Sequence, residues 1–540
     1  MFSIGKRTIQ DKLFWSFIVL FSLLKIFVCR FFPLTHEELY FCSFTHFISS
    51  FYLEHPPVTT YFLKIFSLIF GNTNLMPRIC WIVVYFFTAY ILYCFVKTIT
   101  KSLFISQTSV LLFYSTPVLN MLETSSDMPF LLFFVLSIYV FYYFIETKSN
   151  KYLYFLSLVI TFGLLSKYTM FCIYPSILLL LLISKENRYI LKNIKFYLFV
   201  FLLPILIFFC MVLCSKVSFK SVIYFVSSDV LGDFRLSPDN NIKPIDVALQ
   251  FIGLQTIIYN PILAYIYDDI TKIIYKYVPS IKYYAFFTIM VLAFLYTHML
   301  YLYKKTKQNF PLFIFCFSII ILVCSIIWSF KVFPIEYCAK VSFFILYVYV
   351  AYLFSKKIIL KLILLCFIAF GLYISLINPI YVIYGYDSLY PSLIIEKIKK
   401  HYDFKKDKEL IFLNKYLNNI NDNIAKNSTF IIHADFDYLQ KYFYYLAKQK
   451  YDFRLLFLFD KDIYFWNQHI KDLNGNDSFI FLNKENKEWY PVHKKLIEEI
   501  RENEVFDSIE KLSEEAFLCK NFNYEKYRKK YSICHYELEH

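Results

Sequence analysis

Several large protein classes are excluded by what this sequence lacks. No recognition motif accompanies its basic clusters, so a formal charge of +15 does not argue for a nucleic-acid partner. No set among its thirteen cysteines has metal-ligand spacing. Eleven of them precede residue 370, mostly inside apolar runs, and read as small hydrophobic fillers. Only Cys519 and Cys534 lie beyond, where export of that end would permit a disulfide. The N-terminus turns from basic to apolar as a signal peptide does, but the run over residues 13–33 has no small-residue cleavage site and reads as a retained first span.

What is present in excess is apolar length. Hydrophobic residues make up 58% and aromatics 22%, and runs long enough to cross a bilayer recur to about residue 380, which no water-soluble core requires. Spans are expected near 13–33, 75–97, 102–120, 128–147, 152–166, 168–184, 196–215, 284–303, 310–330, 336–355 and 358–380. The total expected is about 11–13. Basic connections, including Lys97 with Lys101, Lys148 with Lys151, residues 185–195, Lys304 to Lys307 and Lys356 with Lys357, can all be cytoplasmic at once. That solution keeps the apolar stretch 246–266, which contains Gln255, Asn260 and Pro261, from crossing, and makes it interfacial or re-entrant. Residues 34–74, 121–127, 216–283, 331–335 and everything after about 384 then share the outer side. From there the chain changes character, with charges throughout and short strand-like runs at Phe430 to His433 and Phe479 to Leu482.

The sequence thus describes a polytopic α-helical membrane protein with interfacial helices in the outer loops and a small C-terminal α/β soluble domain. The expected domains are 1–383 and 384–540.

The unusual polar residues gather in the outer loops. Glu37 and Glu38 follow the first span, and Glu54-His55-Pro56-Pro57 follows an amphipathic stretch, so two acidic clusters flank one interfacial helix. Carboxylates there can take a proton from a sugar hydroxyl or hold a divalent cation on a phosphate; a solvated loop with ordinary charges accounts for them as well. Asp127 opens a later span, where it is either a helix cap or a site acid. Lys167, between two apolar runs, either snorkels or binds an anion. Lys331 is basic on the side where basic residues are scarce, and Arg78 suits an interfacial anchor equally well.

Taken in order, these motifs resemble the GT-C class of integral-membrane glycosyltransferases, specifically bacterial relatives of the protein O-mannosyltransferases and of the lipid A aminoarabinose transferase. The resemblance runs from Glu37-Glu38 through Glu54-His55-Pro56-Pro57, Asn74 to Arg78, Ser126 to Pro129 and Leu165-Ser166-Lys167-Tyr168-Thr169. It continues with Gln255 and Asn260-Pro261, Lys331 with Pro334, and Tyr464-Phe465-Trp466 in the soluble end. Two positions depart from it: Glu37 stands where the family has aspartate, and Glu336 where it has tryptophan.

The resemblance implies an inverting transfer from a polyprenyl-phosphate sugar to a lipid, glycan or protein acceptor, at the periplasmic face of a bacterial inner membrane. It makes Glu37 and Asp127 catalytic, and Glu38, Glu54, His55, Arg78, Lys167, Tyr168, Gln255 and Lys331 substrate-binding. A divalent cation (Mg, Mn or Zn) would sit at Glu37, Glu54 and Asp127, with no organic cofactor. Membrane lipid is the remaining partner, and nucleic acid is not one. The rival class is a multi-spanning transporter or lipid-linked sugar flippase, which would place polar residues at the bilayer midplane on broken helices. No dense chain of midplane acids is found in the sequence.

Overall fold

The structure is a computed structural model. It describes residues 9–29, 38, 41, 42, 44, 45, 48–52, 56–71, 73, 75–115, 127–215, 278–329, 340–384, 429–432, 475, 478–481, 497, 498, 500–511, 516–523, 525 and 526. By packing the chain divides into two units, one of residues 1–32, 78–208 and 226–398, the other of 33–77, 209–225 and 399–540.

Helices dominate because the apolar runs have no competing strand periodicity and, in lipid, a helix satisfies its own backbone. They are α1 (Ile9–Cys29), α2 (Val58–Phe70), α3 (Met76–Thr100), α4 (Leu103–Ser115), α5 (Asp127–Thr147), α6 (Asn150–Leu164), α7 (Ile173–Ile183) and α8 (Ile194–Leu213). Then come α9 (Val278–Thr306), α10 (Asn309–Ser329), α11 (Lys340–Phe354) and α12 (Ile358–Tyr384). Apart from α2, each lies on one of the expected spans. Among the described residues, five stretches are long and apolar enough to cross a membrane on length and composition alone: α1, α3, α5, α8 and Asn309–Ile326 of α10. The protein is a polytopic α-helical membrane protein. The stretch 246–266, the C-terminal part of the expected 102–120 span and residues 30–33 lie outside the described residues.

Three hairpin turns share one device. Lys101 between α3 and α4, Lys148 between α5 and α6, and Lys307 between α9 and α10 all have left-handed φ, at 54°, 55° and 57°. Each N–H caps the preceding helix, at 3.0 Å to the Lys97 carbonyl, 2.8 Å to Phe144 and 2.8 Å to Tyr303. Glycine is the usual residue there because a side chain costs about 1–2 kcal/mol in that conformation. Lysine is used instead, which fits a turn that must also carry the positive charge of one membrane face.

At that same end α1 is tied to α3. Asp11, only 1% exposed, accepts from the Tyr93 hydroxyl and, at 3.0 Å, from the Lys97 ammonium. In α8 the stretch Tyr197–Leu202 widens into a π turn immediately before Pro204, whose missing N–H and ring disturb the hydrogen-bond ladder.

The tightest approach is α12 against the end of α4. A Cβ at Gly371 would stand 2.5 Å from the Ser115 carbonyl oxygen and 2.8 Å from its Cβ. Backbone cannot swing aside as a side-chain tip can, so Gly371→Ala is expected to cost about 1–3 kcal/mol. Thermal unfolding of the detergent-solubilised protein measures this, and an unchanged midpoint refutes the close approach.

In the other unit, four strands form one sheet: β1 (Thr429–Ile432), β2 (Ser478–Phe481), β3 (Phe506–Lys511) and β4 (Ala516–Phe522), in the order β1-β2-β4-β3. β1 and β2 run parallel with Phe430 opposite Phe479, and β4 is antiparallel to both β2 and β3. The two strand-like runs anticipated from sequence are β1 and β2, each shifted by one residue. Cys519 is fully buried in β4, where burial pushes its thiol up from the usual range; Cys534 lies outside the described residues.

Candidate active site

Among the described residues assigned to the site, Asp127 and Lys167 are joined directly. The Lys167 ammonium donates to Asp127 Oδ1 at 2.5 Å, with side-chain exposures of 19% and 7%. Asp127 is the first residue of α5, where the unpaired N–H groups and the helix dipole favour a negative charge. Pro129 is tolerated because it falls in the first turn.

Lys167 comes to this acid through a tight reversal. α6 ends at Leu164, the Ser166 and Lys167 amides both donate to the Gly163 carbonyl at 3.0 and 3.1 Å, and Lys167 itself is extended. A 3₁₀ turn at Tyr168–Cys172 then starts α7, with the Met170 amide on the Lys167 carbonyl at 3.0 Å. Gly163 permits this, since a Cβ there would meet the fully buried Met170 side chain at 2.7 Å. Tyr168 packs edge-on against Phe208, ring centres 6.2 Å apart. The stretch Leu165 to Thr169 is therefore a turn that delivers one cation to the N-terminus of α5.

Arg78, 2% exposed, has a structural partner in view. Its Nη1 donates at 2.5 Å to the carbonyl of Cys29, the last residue of α1, satisfying a helix-end acceptor. One turn deeper on α1, facing Trp81 of α3, lies a cation that was not anticipated from the sequence. Lys25, 2% exposed, places its ammonium 5.4 Å from the Trp81 ring and 5.8 Å from Phe21. A lysine inside an otherwise apolar run was the available signal.

In the second unit, Glu38 is helical and fully buried. Phe41, Cys42 and Phe44 are helical too, as expected of the interfacial stretch, but Ile48 and Ser49 are not. There the Ser49 amide donates to the Tyr52 hydroxyl at 2.9 Å, and Tyr61 of α2 donates to the Ser49 carbonyl at 2.8 Å. Burial pushes the Tyr52 phenol up from its usual range.

α2 itself was not anticipated; residues 34–74 read as a loop with one helix. At 13 residues it is about 20 Å long, too short to cross a core of about 30 Å, and its exposed Ile65, Leu68 and Ile69 suit an interface. Pro56-Pro57 marks its start.

Glu37, Glu54, His55, Gln255 and Lys331 lie outside the described residues. Among the described residues no three His, Cys, Asp or Glu side chains converge as a metal site would need. The one described member of the expected cation set, Asp127, is matched by an ammonium.

Residues 54–213 match the family described as dolichyl-phosphate-mannose-protein mannosyltransferase. A search of the curated protein sequences found no match. Among solved structures, the chain is similar to ArnT from Cupriavidus metallidurans bound to undecaprenyl phosphate, at 7% identity and a TM-score of 0.57 over 94% of this chain and 97% of that one. It is also similar to the apo state of the same protein, at 9% identity and a TM-score of 0.43 over 93% and 97%. The family match spans α2, α3, Asp127 and Lys167, and the fold likeness extends over nearly the whole length. On these findings residues 54–213 match the dolichyl-phosphate-mannose-protein mannosyltransferase family, and the chain as a whole has a fold like that of ArnT.

Proposed function

We propose that the protein is an inverting glycosyltransferase that moves a hexosyl or pentosyl group from a polyprenyl-phosphate donor, undecaprenyl-phosphate-like, to an envelope acceptor. It works at the periplasmic face of a bacterial inner membrane, with the C-terminal domain on the same side. The observation that carries this reading is the Asp127 and Lys167 pair, at the helix ends opposite the lysine turns and inside the stretch matched by the mannosyltransferase family. The undecaprenyl phosphate bound in the similar ArnT structure supports a donor of that kind.

In the reaction, Glu37 takes the proton from the acceptor hydroxyl as its oxygen attacks the anomeric carbon. The bond from that carbon to the phosphate oxygen breaks, and polyprenyl phosphate leaves with the electron pair. Negative charge grows on the phosphate, where preorganised positive charge helps most. Lys167 supplies such charge, with Asp127 holding its ammonium in place before substrate arrives. Arg78 and Lys331 add to the cationic surroundings, and Glu38, Glu54, His55, Tyr168 and Gln255 line the substrate. A divalent cation, where bound at Glu37, Glu54 and Asp127, would add to the same neutralisation. The acceptor is one of three, lipid A, another envelope glycan or an exported protein, with a lipid or saccharide favoured.

Mass spectrometry of envelope glycolipids from cells with and without the gene tests the reading. A single glycosyl increment lost on deletion identifies both sugar and acceptor. Substrate movement across proteoliposomes with no glycosyl transfer would favour the transporter instead.

A further inference from the structure

Lys12, Ser16, Leu20 and Leu23 of α1 line an open groove of about 830 Å³ together with Phe87 and Tyr90 of α3. Its walls are apolar except at the Lys12 end. Trp15 also lines it, nearly buried and edge-on to Phe86 and Tyr90 at 5.5 and 5.3 Å between ring centres, so α1 and α3 are firmly joined beside the groove.

Its length selects the occupant. Lys12 to Leu23 covers about 16 Å of helix, close to half of a hydrocarbon core of about 30 Å. The groove therefore has the depth of one leaflet, and the end with Lys12 is the end of the lysine-bearing turns. Charge there is one-sided: Lys12 and Lys101 are exposed and the Lys97 side chain is 44% exposed. The one acid on either helix, Asp11, is buried and bonded to Tyr93 and Lys97. Basic pockets between spans on the cytoplasmic side suit anionic lipid headgroups.

We propose that this groove is a binding site for one anionic phospholipid of the cytoplasmic leaflet, its acyl chain along Leu20, Leu23 and Phe87 and its phosphate at Lys12. The lipid covers α1 on the side where Leu13, Leu20 and Leu24 are exposed. This site is separate from the residues assigned to sugar transfer and stands whether or not that reading does.

Native mass spectrometry of the full-length protein, released from detergent with equimolar phosphatidylglycerol and phosphatidylethanolamine, tests it. The expected result is one phosphatidylglycerol retained per chain in preference to phosphatidylethanolamine. Lys12→Gln weakens that retention about fivefold, the loss of one lysine at a lipid surface, while Lys12→Arg keeps it. Leu20→Trp fills the groove and removes the bound lipid with the thermal midpoint in detergent unchanged. Glycerol phosphate, the headgroup without chains, does not compete. Equal retention of the two lipids, full retention in Lys12→Gln or Leu20→Trp, or competition by glycerol phosphate overturns the proposal. So does a dimer that Leu20→Trp disperses, which would put a second copy of the chain in the groove.

Discussion

Asp127→Asn is expected to lower sugar transfer from a polyprenyl-phosphate donor by about 10²–10³-fold in membranes, because the cation it holds is no longer fixed where charge develops. The same change leaves the Lys167 ammonium with less compensation in a largely buried setting, which costs about 3–5 kcal/mol when one partner of such a pair is removed. Lys167→Met leaves the carboxylate equally exposed to that penalty. The two effects are separable with the double variant Asp127→Asn and Lys167→Met, which removes both charges. Thermal stability in detergent should then return most of the way to the parent value, while transfer stays at the level of the Lys167→Met single variant. A double variant that regains both stability and activity makes the pair a structural bolt. Full activity in Asp127→Asn alone refutes the assigned site.

The pair also marks how far sequence reasoning reached. Lys167 was singled out because a charge between apolar runs is costly unless something answers it, and Asp127 because it opens a span where the helix dipole favours an acid. What answered each was not legible, since 39 residues separate them and only packing of α5 against α6 brings them together. For both residues the alternative reading was local, a helix cap or a snorkelling lysine, and local readings are the only ones a single sequence can supply. Spans were readable for the same reason that these contacts were not: hydrophobic length is a property of one segment, and all eleven expected runs carry a helix.

α2 was lost because its 13 residues fall short of spanning length, and Pro56-Pro57 was taken only with the acidic cluster before it, although proline also opens helices. Lys25 was lost inside the first span, where α1 looked uniformly apolar and its buried face toward Trp81 could not be told from its lipid face. Arg78 shows the opposite case. Sequence gave it two roles, anchor or phosphate cation, and the structure adds a third, the closing hydrogen bond on the end of α1.

The largest effect is expected at Glu37. Glu37→Gln removes the group proposed to accept the acceptor's proton, and positioned bases contribute about 10²–10⁴-fold, so turnover should fall by that factor while expression and thermal midpoint hold. The neighbouring Glu38 provides the contrast: it is fully buried in a helical segment, so Glu38→Gln should act on stability as well as on rate. Glu37→Asp is the more telling variant, because aspartate is the residue expected at this position from the resemblance noted in the sequence. It keeps the carboxylate but draws it back by one methylene, and a displacement of about 1 Å can cost about 10²-fold. If the acceptor in this protein sits as the longer side chain requires, Glu37→Asp should run slower than the parent and faster than Glu37→Gln. The acid limb of its pH–rate profile should survive, whereas in Glu37→Gln it should disappear. Parent-level turnover in Glu37→Gln would take the base role away from this residue and leave Asp127 as the carboxylate to test in its place.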